Sequence, residues 1–293
     1  MKIAYYPGCS LETTGIEFHL STEYCAKKVD LELWEIPSWN CCGASSAHTL
    51  DHLLSLALPA RNLAIAEKEG LDVAVPCAAC YTHFKNVEAE VRQNEEVQQE
   101  VAQVIDMDYH ATNNTKSILE VFVDQVGLNA IGAEVKKPLE GLKVACYYGC
   151  FLVRPPKLGH FDDRTEDPQS MDDLITALGG TPVEWPHKTE CCGAGMVTLS
   201  PENGLPLSYE LLRAAQLCGA DCIAAACPMC QMNLDLRQEE IKKKYKADFN
   251  LPIYYFTELM ALSFGASPKE IGLQKHFVES VSLVAEIGRK ETA

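Results

Sequence analysis

The block CCGA occurs at residues 41–44 and again at 191–194, and nothing else in the chain limits its architecture as much. Neighbouring thiols do not readily pair with each other, because such a disulfide strains both the peptide and the bond geometry. Their partners must be other cysteines, and those follow the same duplication. Cys77 and Cys80 (CAAC) match Cys227 and Cys230 (CPMC) at the same offset of 150 as the two CCGA blocks. KIAYYPGC (2–9) matches KVACYYGC (143–150), which sets Cys9 over Cys150. Each half therefore reads Cys, a gap, Cys-Cys-Gly-Ala and then Cys-x-x-Cys, with 34 residues between the pair and the last motif. The first gap is 31 residues in one half and 40 in the other, and the excess falls in the polar stretch RPPKLGHFDDRTEDPQS, which reads as a loop insertion. Ten of the fourteen cysteines obey the repeat, so chance is excluded.

Short apolar runs precede these motifs. KIAYY, LELWEI and LDVAV in the first half, and LKVACYY, TPVEW and CIAAA in the second, each lead into a cysteine-bearing loop. Helix-like segments such as SSAHTLDHLLSLALPARNLAIAEKE and SPENGLPLSYELLRAAQLCG lie between them. Strands alternating with amphipathic helices indicate βαβ units and parallel sheets. A fourth unit closes each half: LPIYYF followed by TELMALSFG near the C-terminus, and VIDMDYH followed by TKSILEVFVDQVG in the first half. The expected fold is α/β, with two pseudo-twofold-related Rossmann-like halves, 1–138 and 139–293, built on short parallel sheets. Loops beyond the carboxyl ends of parallel strands form the ligand crevice. All six cysteine motifs fall there, so each half gathers five thiols at one sheet edge. The glycine after each Cys-Cys pair lets the backbone turn closely beside them.

Composition narrows the function. The net charge of −16 opposes a broad surface for nucleic acid. The one basic run, KKKYK at 242–246, has acidic neighbours and reads as a solvated helix face. No apolar stretch reaches the ~18–20 residues that span a bilayer. The N-terminal residues lack the pattern of a secretory signal, so a cytoplasmic location is expected. Reducing cytosol disfavours structural disulfides, and clustered cysteines there mean metal or redox chemistry. Neither a GxGxxG nor a Walker A sequence occurs, so no NAD, FAD (or other flavin) or ATP site is expected and electrons must arrive through another protein.

A structural zinc site takes four ligands, typically from paired Cys-x-x-Cys elements, whereas each half here offers five. Iron–sulfur clusters are also held by thiolates, and an ordinary cubane uses four. Five suit a cluster of unusual shape, so the spacing favours iron–sulfur while leaving zinc open. A thioredoxin-type dithiol would leave three cysteines in each half without a task.

The doubled Cys…Cys-Cys-Gly…Cys-x-x-Cys pattern resembles the CCG domains in the B-type subunit of heterodisulfide reductase, over nearly the whole chain. That resemblance implies two non-cubane [4Fe–4S] clusters. Cys9, Cys41, Cys42, Cys77 and Cys80 would hold the first, and Cys150, Cys191, Cys192, Cys227 and Cys230 the second. It further implies catalysis by splitting a disulfide, such as the heterodisulfide of coenzymes M and B, between the two clusters. The implied partners are the ferredoxin-like iron–sulfur subunit (C-type) and the flavin-containing subunit (A-type) of a heterodisulfide reductase complex. Related CCG subunits serve thiol:fumarate, succinate, lactate and glycolate oxidoreductases and sulfur-oxidising complexes. Several of those carry their own ferredoxin domain, a run of cysteines that this sequence lacks. A zinc-stabilised scaffold is the reading from a different functional class.

Other candidates stand outside the repeat. Cys25, Cys146, Cys218 and Cys222 occupy apolar contexts and read as buried small hydrophobes. His48 and His52 fall at i and i+4 of one expected helix face, but Thr49 stands where a metalloprotease needs glutamate. His48, His187 and Lys188 lie close in sequence to the Cys-Cys pairs and are candidate proton donors.

Overall fold

The computed structural model describes residues 1–44, 46–154, 162 and 164–285. The chain forms two separate four-stranded parallel sheets. The first contains β1 (Lys2–Tyr5), β2 (Glu32–Glu35), β3 (Val73–Val75) and β4 (Thr115–Ser117), in the order β2-β1-β3-β4. The second contains β5 (Lys143–Tyr147), β6 (Thr181–Pro182), β7 (Cys222–Ala225) and β8 (Ile253–Tyr255), in the matching order β6-β5-β7-β8. The register repeats as well, with Val75 opposite Ser117 in one sheet and Ala225 opposite Tyr255 in the other. Strands β3, β7 and β8 are buried along their whole length, and β1 and β5 at all but the first residue. Burial on both faces is why these strands read as continuous apolar runs without alternation. The edge strands β2 and β6 are partly exposed.

The halves exchange helices. The segment closing the second half, Phe256–Ser263, packs on Ile16–Lys28 of the first. There Phe18 stacks on Tyr255 at 4.3 Å, the hydroxyls of Ser21 and Thr257 lie 2.7 Å apart, and the Cys25 thiol donates to the Thr257 carbonyl. Reciprocally, the helical segment Ile118–Ala133 that closes the first half packs on Ser170–Ala177 of the second. Each sheet is thus covered partly by the other half, and burial of this kind supplies most of the stability of such layers.

Four sequence expectations are corrected. The strand expected within VIDMDYH is absent: Asn94 caps a helix, Glu95–Ile105, that ends with Asp106 in the left-handed region. Val97, Val101, Val104 and Ile105 have the helical spacing of that element, and the pairing strand is instead Thr115–Ser117, inside the segment expected to be helical. His48 and His52 do not share a helix. The backbone is extended at Asp51, whose carboxylate accepts from the Leu54 N–H at 2.7 Å and starts a new helix, His52–Lys68. Cys25, Cys146 and Cys222 are buried as expected, but Cys218, at the end of the helix Pro201–Leu217, is exposed. TPVEW yields only the two-residue strand β6. The insertion at 154–170 lies largely outside the described residues.

A buried ion pair fastens the C-terminal segment. Glu258, fully buried at the start of its helix, accepts from the Tyr255 N–H at 2.8 Å and meets His276 Nε2 at 3.0 Å. Burial opposes the charged imidazole, yet Glu258 outweighs it, helped by Asp235 and Glu17, and holds His276 above its ordinary range. A group whose pKa rises on folding stabilises fully below its unfolded value, and that contribution disappears as pH climbs through the folded value. The melting temperature should therefore decline as pH rises above the ordinary imidazole value of 6.5. His276→Leu should cost about 3 kcal/mol, because it strands a buried carboxylate, and should flatten that pH dependence; thermal melts across pH check both.

Candidate functional site

The motifs converge as their positions after the strands require. Cys9 opens the short helical turn Gly8–Leu11 after β1, Cys41 and Cys42 lie in the loop after β2, and Cys77 precedes the helix Ala78–Gln93 that carries Cys80 in its first turn. The second half repeats this: Cys150 starts the turn Cys150–Val153, Cys191 and Cys192 follow β6, and Cys227 and Cys230 open Pro228–Leu236. In the first half the Cys42 and Cys80 sulfurs are 3.0 Å apart, Cys41 contacts Cys9 and Cys42, and Cys77 contacts Cys80. In the second, Cys150 meets Cys191, while Cys230 meets both Cys192 and Cys227. One further contact crosses between the halves: the thiols of Cys77 and Cys227 are close enough to shift each other, Cys77 up and Cys227 down. The two sets of five are neighbours at a single place.

Within these contacts one sulfur is lowered and its partner raised. The Cys80 contact lowers Cys42 to about 7, and the Cys150 contact lowers Cys191 to about 6. Cys227 is pulled well below the usual thiol value by Cys230 and Cys77. Backbone N–H groups assist, from Ala44 at Cys42 and from Gly193 at Cys191, the latter at 3.4 Å. Their partner thiols Cys77, Cys80, Cys150 and Cys230 are held up. Thiolate is the metal-ligating form, and the N-termini of the helices bearing the Cys-x-x-Cys motifs favour it further.

Two tyrosines that sequence reasoning passed over hold the Cys-Cys loops. Tyr6 donates to the Asn40 carbonyl at 3.0 Å, and its counterpart Tyr147 to the Glu190 carbonyl at 2.6 Å. Each acceptor immediately precedes a Cys-Cys pair, so the first cysteine loop of each half is tied to the second. Their signal was present: a tyrosine stands three residues before Cys9 and before Cys150. The glycine expectation is met at both copies. With φ of +75° and +84°, Gly43 and Gly193 turn where a side chain would be strained, and a Cβ on Gly193 would lie 2.5 Å from the Gly204 carbonyl oxygen.

The surroundings of the two sets differ. In the second half Ser208 and Asn233 both donate to the Cys192 carbonyl, at 2.7 and 2.9 Å. Position 83, equivalent to Asn233, is a half-buried histidine whose ring lies 6.0 Å from that of exposed His48. Burial, and then His48, lowers the pKa of His83. Lys188 is buried with its ammonium 3.0 Å from Asp172 and 2.9 Å from Asp167, and its carbonyl accepts from the N–H groups of Tyr148 and Gly149. His187 is partly exposed and packs edge-on against Trp185.

Among the described residues, no three Cys, His, Asp or Glu side chains surround a point where a single metal ion would sit. The donor chemistry is that of five soft sulfurs per half, with Cys42, Cys77, Cys80, Cys192, Cys227 and Cys230 buried. That set fits an iron–sulfur group.

Comparison with known proteins agrees. The CCG cysteine-rich domain matches this chain twice, over residues 3–85 and 144–235. The chain belongs to the CCG family. Among curated relatives, the 8-methylmenaquinol:fumarate reductase membrane anchor subunit of Wolinella succinogenes is 33% identical over 284 residues, covering 96% of this chain and 99% of that protein. The B-type subunit of the Ferredoxin/F(420)H(2)-dependent CoB-CoM heterodisulfide reductase of Methanosarcina acetivorans is 28% identical over 292 residues, covering 98% and 97%. An Archaeoglobus profundus protein described as similar to the heterodisulfide reductase B-type subunit is 26% identical, covering 92% and 93%. A crystal structure of a hypothetical protein from Helicobacter pylori shares the fold with a TM-score of 0.75 at 14% identity. The match covers 95% of this chain and about half, 52%, of that one. The CCG chain is thus placed among iron–sulfur, electron-transferring oxidoreductases. No helix among its described residues is long and apolar enough to cross a membrane.

The glycine geometry generates a comparison. Gly193 and Gly219 both have positive φ, but a Cβ on Gly219 would meet nothing within 4 Å. Gly193→Ala should cost about 1–3 kcal/mol more than Gly219→Ala, the difference being overpacking rather than backbone strain. Denaturant unfolding of the two variants measures it.

Proposed function

We propose that this chain is the disulfide-handling component of a heterodisulfide reductase-like complex, with one non-cubane [4Fe–4S] cluster in each half. The observation that carries the reading is the Cys77–Cys227 contact, which makes two equivalent ligand sets neighbours across a pseudo-twofold axis. A substrate with two equivalent reacting atoms suits that symmetry, and a disulfide has two. Its reduction, R–S–S–R′ + 2e⁻ + 2H⁺ → RSH + R′SH, breaks one bond and needs one electron and one proton at each sulfur. When bound, the clusters supply the electrons one at a time.

The residues of the chain provide the rest. Cys9, Cys41, Cys42, Cys77 and Cys80 hold one group, and Cys150, Cys191, Cys192, Cys227 and Cys230 the other. Tyr6 and Tyr147 fix the Cys-Cys loops, each within its own half. His48, standing exposed beside half-buried His83, opens a proton route on the first-half side. Lys188, locked between Asp167 and Asp172, holds the insertion against the Cys150 loop, while His187 remains a proton donor candidate for the second half. Electrons come from partner proteins, a ferredoxin-like iron–sulfur subunit and a flavin-bearing one, in the cytoplasm. The similarity to subunits of multi-subunit reductases supports a complex of this kind.

A second reading makes the chain an electron relay in a quinol:fumarate reductase-type complex. The 33% identity to an 8-methylmenaquinol:fumarate reductase subunit over nearly the entire length favours it.

Anaerobically purified protein should be brown and contain about eight irons, and fully loaded protein with four or fewer would end the two-cluster reading. Cys42→Ala should remove the first cluster only, whereas Cys146→Ala should cost ~1 kcal/mol of stability and no iron. Variants at Cys42, at Cys192 and at both should lose disulfide reduction with an artificial donor to a similar extent, because groups acting as a unit are non-additive. A folded Cys192→Ala protein that lacks its cluster and still reduces the disulfide at a near-normal rate would favour the relay.

A further inference from the structure

One polar group near the thiols is left without a partner. Tyr255 is fully buried, and among the described residues its hydroxyl makes no hydrogen bond. A buried hydroxyl without a partner costs on the order of 1–3 kcal/mol, so a retained one calls for a physical reason. Its ring is fixed by stacking on Phe18 from the other half, with centroids 4.3 Å apart and planes 7° from parallel. The hydroxyl end points to the junction between the halves. A Cβ placed on Gly15 would lie 3.1 Å from the Tyr255 oxygen and 3.3 Å from the Cβ of Pro228. Pro228 immediately follows Cys227, and the Cys227 thiol is within electrostatic reach of the phenol. Of the carboxylates also in reach, Glu17 comes first yet takes no hydrogen bond from the phenol, Glu258 already accepts from Tyr255 N–H and faces His276, and Asp235 accepts from the N–H groups of Phe277 and Val278.

The two halves are not alike here. Tyr255 ends β8 opposite Ala225, and the residue at the same register in the first sheet is Ser117, opposite Val75. Ser117 is spent on local structure, since its hydroxyl accepts from the Leu119 N–H and caps the following helix. At this register the first half therefore has no phenol, and its own buried Tyr6, beside Cys80, already donates to the Asn40 carbonyl.

We infer that Tyr255 is a positioning residue that donates a hydrogen bond to sulfur at the Cys227 end of the second-half site, making the two redox centres inequivalent. The inference rests on the two-cluster reading above. A donor to ligand sulfur stabilises the reduced, more negative state and so raises the reduction potential. With this bond on one side only, the second-half centre is the more easily reduced of the two, and an electron entering the pair settles there first.

Tyr255→Phe tests this in the iron-loaded protein, since the substitution keeps the Phe18 stack and removes only the hydroxyl. Iron content is measured first, and then the potentials of both centres by an electron paramagnetic resonance redox titration. Cys42→Ala and Cys192→Ala proteins assign which signal belongs to which half. The expected result is unchanged iron, an unchanged first-half potential and a second-half potential lowered by about tenfold in the one-electron equilibrium, or about 59 mV. Full iron with both potentials unchanged, or with both shifted equally, overturns the inference while leaving the two-cluster reading intact. Unsubstituted protein with only one cluster or none overturns that reading, and the inference with it.

Discussion

The contact between Cys77 and Cys227 is where the two copies of the repeat become one object. Each thiol stands at the start of the helix that follows a central strand, so the contact sets the distance between the carboxyl edges of both sheets. Around it the exchange is reciprocal. The Cys-x-x-Cys helix of the first half packs on the Cys150–Val153 turn, and that of the second half on the Gly8–Leu11 turn. The Thr82 hydroxyl extends this by donating to the Phe151 carbonyl at 2.8 Å.

Within this symmetric frame the chemistry is unequal. The first set has two imidazoles, His48 and His83, at its flank, where the second has Ser208 and Asn233 gripping the Cys192 carbonyl. The backbone beside Cys42 is held differently: Asn62 accepts from the Asn40 N–H and donates to its carbonyl. Both loops are held, but by different side chains, and only the first has paired imidazoles beside it.

Much of this was legible in the sequence because thiol ligation demands particular residues at particular places. The ten cysteines, the strands preceding them and the need for glycine at 43 and 193 could be read directly. The closing unit of the first half could not. Val104, Ile105 and Met107 resemble a strand when read as a run, yet the Asn94 cap commits that stretch to a helix, and the real strand is the three-residue Thr115–Ser117. The His48–His52 spacing misled for a similar reason, since the extended backbone at Asp51 resets the helical phase. Cys218 looked like its buried neighbours, but it lies on the outer side of a helix end, where composition gives no sign of direction. Tyr6 and Tyr147 escaped notice because their roles depend on what their hydroxyls meet across the chain.

The exchanged helices also bear on how such a chain is made. During synthesis the helix Ile16–Lys28 leaves the ribosome early, with Phe18 and Cys25 on the face that Phe256–Ser263 will cover. Its cover is encoded more than two hundred residues later. Until then the first sheet exists with an open flank, and its five thiols stand at an edge that nothing yet braces. The first-half thiols therefore reach their final surroundings only when the last strand and helix have docked.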